Sequence, residues 1–100
     1  MKKVMSENAE YLTLYLDDKD GKPTLKELQK FVGGYIEVLT SADGQKQIVI
    51  DEEGKLKGKP INYDATEEYV GEEYDDTNAM WTYDVIVGDA VILSGKAKLD

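Results

Sequence analysis

Apolar and polar residues alternate over residues 11–16, with Leu12, Leu14 and Leu16 on one side and Tyr11, Thr13 and Tyr15 on the other. A period of two marks a half-buried strand. The period then changes to that of a helix: Leu25, Leu28, Phe31 and Val32 gather on one face, and Lys26, Glu27, Gln29 and Lys30 take the other. Thr24 stands at the N-cap position with Glu27 three residues on and Pro23 ahead of it, so hydroxyl and carboxylate can satisfy two free amides of the first turn. Gly33 follows the last periodic apolar residue, where a left-handed backbone closes a helix, and Gly34 lets the chain turn into a strand at Tyr35.

Strands are expected over residues 35–39 and 47–50, joined through Asp43-Gly44 as a hairpin. Asp51-Glu52-Glu53-Gly54 closes the second, and residues 55–60 form a lysine-rich loop with Leu56 as its anchor. Asp64 is the expected cap of a short helix over residues 65–70, with Glu67 three positions on. Residues 81–87 and 90–95 read as two strands linked through Gly88-Asp89, and their near-continuous apolar character predicts burial on both faces. The expectation is an α+β fold: one domain over residues 10–95, a mixed or antiparallel sheet of about five strands, one main helix packed on a sheet face and a second short helix. Residues 1–9 are expected as a loose leader and 96–100 as a short tail. The expected core is Leu12, Leu14, Leu16, Leu25, Leu28, Phe31, Ile36, Val38, Val49, Val85, Val87, Val91 and Leu93.

Composition removes many chemistries. In 100 residues there is no cysteine and no histidine, which excludes disulfides, thiolate and imidazole catalysis and the usual zinc ligands. The net charge is -9 and all 12 basic residues are lysine, so no guanidinium can fork onto phosphate or a base edge, and duplex nucleic acid is not an expected partner. No apolar run approaches transmembrane length, and the opening residues lack the hydrophobic stretch of a signal peptide; a cytoplasmic location and no membrane partner are expected. The acidity is uneven. Residues 1–60 carry 10 Lys against 11 Asp and Glu, whereas residues 61–100 carry 2 against 10, so the negative field belongs to the C-terminal part.

No metal site is expected. Asp17, Asp18 and Asp20 have the spacing that opens a calcium loop, but the twelfth position is Leu28 where a bidentate glutamate belongs. The neighbouring carboxylates Asp51, Glu52 and Glu53 point different ways and read as a solvated turn. Two sets of residues stay open to function. Gly33, Gly34, Tyr35, Glu37, Asp51 and Asn62 form a candidate ligand site if the ends of the central strands converge and the glycine pair admits a ligand to backbone amides. Glu67, Glu68, Glu72, Glu73, Asp75 and Asp76 belong to a run, residues 64–76, with seven acids, no base and interleaved tyrosines; such a run can imitate a phosphate backbone, or simply be solvated.

The strings Gly33-Gly34-Tyr35-Ile36-Glu37, Ile50-Asp51-Glu52-Glu53-Gly54-Lys55-Leu56, Pro60-Ile61-Asn62 and Ile86-Val87-Gly88-Asp89-Ala90-Val91-Ile92, in this order and spacing, resemble the domain of unknown function 3846 (DUF3846) family over roughly residues 10–93. Proteins of that family are encoded by bacteria, phages and plasmids, and no activity is established for it. The resemblance implies a mobile-element context, a single small domain and no catalytic residues to carry over. The expected function is therefore that of a non-enzymatic phage or mobile-element accessory, without cofactor, whose acidic face binds a basic host protein as a counter-defence or regulatory decoy. A small-molecule or nucleotide-binding domain is the alternative.

Overall fold

The computed structural model describes residues 2–5, 10–72 and 85–100. Four strands form a mixed sheet: β2 (Leu12–Leu16), β3 (Ile36–Thr40), β4 (Lys46–Asp51) and β5 (Ala90–Ser94). A further strand, β1 (Lys2–Met5), adds to it, giving the order β1-β2-β5-β4-β3. Among the described strands only β2 and β5 run parallel; the other pairs are antiparallel. The expected loose leader is thus corrected at residues 2–5, where a segment without sequence periodicity pairs along β2.

Helix α1 (Leu25–Val32) covers one face of the sheet. Leu28 and Val32 pack against Leu14, Leu16, Val49, Val91, Leu93 and Ala97, with Phe31 and Ile36 at the margin. Helix α2 (Tyr63–Val70) lies on the other face, where Ala65 joins Ile48, Ile50, Ile86, Ala90 and Ile92, flanked by Tyr15, Leu39 and Tyr69. Two central strands pack on both sides because their side chains alternate: Val49 opposite Val91 faces α1, and Ile48 opposite Ile92 faces α2. The doubly buried character expected of residues 90–93 is present, and β4 shares it.

Local signals set the helix ends. The Thr24 hydroxyl accepts from the Glu27 amide at 3.1 Å while the Glu27 carboxylate accepts from the Thr24 amide at 2.9 Å. Gly33, at φ 85°, closes α1 in the left-handed region. The cap of α2 is Asn62, not Asp64: its side chain accepts from the Ala65 amide at 2.9 Å.

Several expectations shift at the edges. Leu25 is 57% exposed and Val38 41%, because one sits in the first turn of α1 and the other on the outermost strand. Leu56, the expected anchor, is 85% exposed. Of the strand expected at residues 81–87, residues 81–84 lie outside the described residues, and Val87 makes a single antiparallel bridge with Ile61. The expected tail is docked: residues 95–97 form a short helical turn, Ala97 is buried, and the Leu99 amide and carbonyl both bond to the Gln47 side chain.

Candidate functional site

The six residues expected to converge on a ligand do not line one pocket: Gly33, Gly34 and Tyr35 lie around the Asp51 joint, Glu37 meets a cavity that Asp51 borders, and Asn62 stands apart. Asp51, at the end of β4, is buried, with its side chain 1% exposed. One carboxylate oxygen accepts from Lys57 at 2.7 Å and from Lys59 at 2.8 Å, and the other accepts from the Glu53 amide at 2.9 Å. Both lysines also reach α1: Lys57 donates to the Gly33 carbonyl at 3.1 Å and Lys59 to the Val32 carbonyl at 2.7 Å. Burial alone would raise the Asp51 pKa, but the two ammonium groups and the backbone donor hold it well below the ordinary carboxylate range. Two cations therefore meet the negative end of a helix across a shared carboxylate. The cluster bolts the glycine turn to the 52–59 loop, and a Cβ at Gly34 would stand 2.9 Å from both Asp51 and Lys57, so that one of the two side chains would have to shift.

Asn62 is fully buried on the other side of the sheet. Its amide nitrogen donates to the Thr13 hydroxyl at 3.0 Å and the Gly88 carbonyl at 2.9 Å, in addition to its capping bond. Thr66 beside it accepts from the Ile86 amide at 2.8 Å and donates to the Asn62 carbonyl at 2.8 Å. These groups satisfy one another across elements distant in sequence, and the side chain of Asn62 is turned into that network.

Tyr35, 69% exposed, borders a shallow hollow with Gln29, Gly34, Glu53 and Lys57. Glu37 points to the opposite face of β3, where it meets a cavity of about 230 Å³ walled by Leu39, Ile50, Tyr69, Ile86 and Val87. Asp51 borders that cavity too, with one oxygen engaged by the two lysines and the other by the Glu53 amide.

The acidic set is brought together as far as it is described. Glu67, Glu68 and Glu72 line one groove with Asp43, Ala42 and Gly71, between the end of α2 and the turn after β3. The Ala42 amide donates to the Glu68 carbonyl at 3.0 Å and ties the turn after β3 to α2. Lys46 reaches the Glu68 carboxylate at 2.8 Å. Glu73, Asp75 and Asp76 lie outside the described residues. The field extends to Tyr15, whose phenol is pushed up to about 12 by burial first and by Asp64, Glu68 and Glu67 after it.

Sequence reasoning missed the lysine pair on Asp51. The alternation Lys55, Lys57, Lys59 was visible in the loop, but nothing local says that two of the three ammonium groups fold back onto a helix end. Among the described residues no group of three acidic side chains is arranged to hold a metal ion, and no helix is long and apolar enough to cross a membrane.

The family model of the domain of unknown function DUF3846 matches residues 4–99, and the chain belongs to that family. No curated protein and no solved structure gives a significant match to the chain.

Proposed function

We propose that this chain is a non-enzymatic accessory protein of a phage or other mobile element, and that its acidic groove binds a basic surface of a host protein. The observation that supports this reading most is where the carboxylates sit. Glu67 and Glu68 occupy the last turn of α2 and Glu72 follows it, with no basic residue in that turn. Acids at a helix C-terminus oppose the helix dipole, each by about 0.3–1 kcal/mol, and Asp64 and Glu68 add like-charge repulsion four residues apart, on the order of 0.2–0.5 kcal/mol. The partly exposed Lys46–Glu68 pair returns at most about 1 kcal/mol. The groove thus concentrates carboxylates of one sign beside a helix end, a field that suits a cationic partner.

A small-molecule site is the second reading, favoured by the cavity beside Glu37. At about 230 Å³ it falls short of the roughly 300–1,000 Å³ of ordinary ligand pockets, and of the other five residues of the proposed ligand set Asp51 alone borders it. The two readings separate in a capture experiment from host lysate at low salt. The triple variant Glu67→Gln, Glu68→Gln, Glu72→Gln is expected to lose the proteins that the parent retains. Retention of every protein partner by the folded variant would overturn the groove reading.

A further inference from the structure

β3 is the last strand of the sheet on its side, and among the described residues nothing pairs with its outer edge. The ladder to β4 continues past both ends of the strand: the Ser41 amide donates to the Lys46 carbonyl at 2.9 Å and the Glu52 amide to the Tyr35 carbonyl at 2.9 Å. In an antiparallel pair, backbone groups turn toward the partner at every second residue. Residues 35, 37, 39 and 41 therefore face β4, and Ile36, Val38 and Thr40 present their N–H and C=O groups outward. That is a template for one more strand.

The two faces beside this edge differ. Toward α2 stand Glu37, in a cavity that Lys55 also lines, then Leu39, and then the groove of Asp43, Glu67, Glu68 and Glu72 where β3 ends. Toward α1 stands Val38, 41% exposed, between Ile36 and Thr40. A strand laid here would alternate in the same way: on the α2 side its side chains would meet Glu37, Leu39 and the acidic groove in turn, and those between would lie over Val38.

We propose that the outer edge of β3 takes up an extended segment of the partner protein as an added strand, with lysine or arginine where it passes Glu37 and the acidic groove and β-branched residues toward Val38. The proposal rests on the groove reading and specifies how the basic partner is held: main-chain hydrogen bonds supply register and the carboxylates supply selection. A second copy of this chain is the competing occupant, and charge opposes it, since each copy carries -9. Glu37 on the edge strand acts in the same direction, as a charge that discourages pairing with acidic neighbours and favours basic ones.

The test uses the full chain and a short capped peptide alternating lysine with valine or threonine, followed by fluorescence anisotropy at low salt. Val38→Pro removes an outward N–H while leaving the ladder to β4 intact, and proline is tolerated on the open side of an edge strand. It is expected to weaken peptide binding by roughly tenfold, as loss of one or two intermolecular hydrogen bonds implies; Val38→Thr should bind like the parent. In parallel, a peptide methylated on alternate backbone nitrogens keeps its charges but cannot complete the ladder, and is expected to bind the unmodified protein as weakly. This arm decides the matter if Val38→Pro does not fold. Equal binding of the plain and methylated peptides would overturn strand addition while leaving the acidic groove as a charge-only contact. No binding of either peptide, or self-association through β3 in sedimentation of the free protein that Val38→Pro abolishes, would overturn the proposed occupant.

Discussion

Lys59 holds Asp51 and the end of α1 at once: its ammonium lies 2.8 Å from the Asp51 carboxylate and 2.7 Å from the Val32 carbonyl. A carboxylate whose folded pKa lies below its ordinary value of 3.8 contributes stability that is present above that value and is lost as pH falls through the folded one. Asp51→Asn should therefore cost about 2–3 kcal/mol near neutral pH. The gap between parent and variant should narrow from about pH 4 downward, as chemical denaturation at several pH values will report. A gap independent of pH would mean that shape, not charge, holds this joint.

The two glycines of the turn are predicted to fail differently. At Gly33 a Cβ meets nothing closer than Lys59 at 3.5 Å, but φ is 85°, so Gly33→Val should cost about 1–2 kcal/mol through the backbone alone. At Gly34 the cost comes from crowding Asp51 and Lys57. In an Asp51→Ala background the penalty of Gly34→Ala should shrink while that of Gly33→Val stays, which a double-mutant cycle measures.

Asn62→Ala is expected to cost about 3 kcal/mol, combining a lost cap with buried groups left without a bond. Asp64→Ala should cost less than about 1 kcal/mol, since Asp64 accepts one bond, from the Tyr11 hydroxyl at 3.2 Å. The reverse order in thermal unfolding would place the start of α2 two residues later.

Thr24→Ala should cost about 1 kcal/mol through loss of the capping box, read as a shift of the denaturation midpoint at constant slope.

These cases show what the chain disclosed before folding. The Thr24–Glu27 box and the Gly33 cap were legible because their partners lie within a few residues. Asn62 was not, since Asp64 has equal local merit as a cap and the choice is made by Thr13 and Gly88, both far away in sequence. The apolar run at residues 90–93 announced a strand buried on two faces, but its parallel pairing with β2 has no local signature. Leu25 and Val38 have the periodicity of core residues; only their positions at a helix start and a sheet edge expose them. For the site, the acids at 67, 68 and 72 were legible as charge, and their gathering against Asp43 depended on how α2 docks.

If the carboxylates at the end of α2 bind a basic partner, affinity for a captured host protein depends on salt, and differently in the parent and in the Glu67→Gln, Glu68→Gln, Glu72→Gln variant. The parent's affinity is expected to fall steeply with added salt, and the variant to bind weakly and almost independently of salt. A variant that matches the parent in both affinity and salt dependence would contradict binding through these carboxylates.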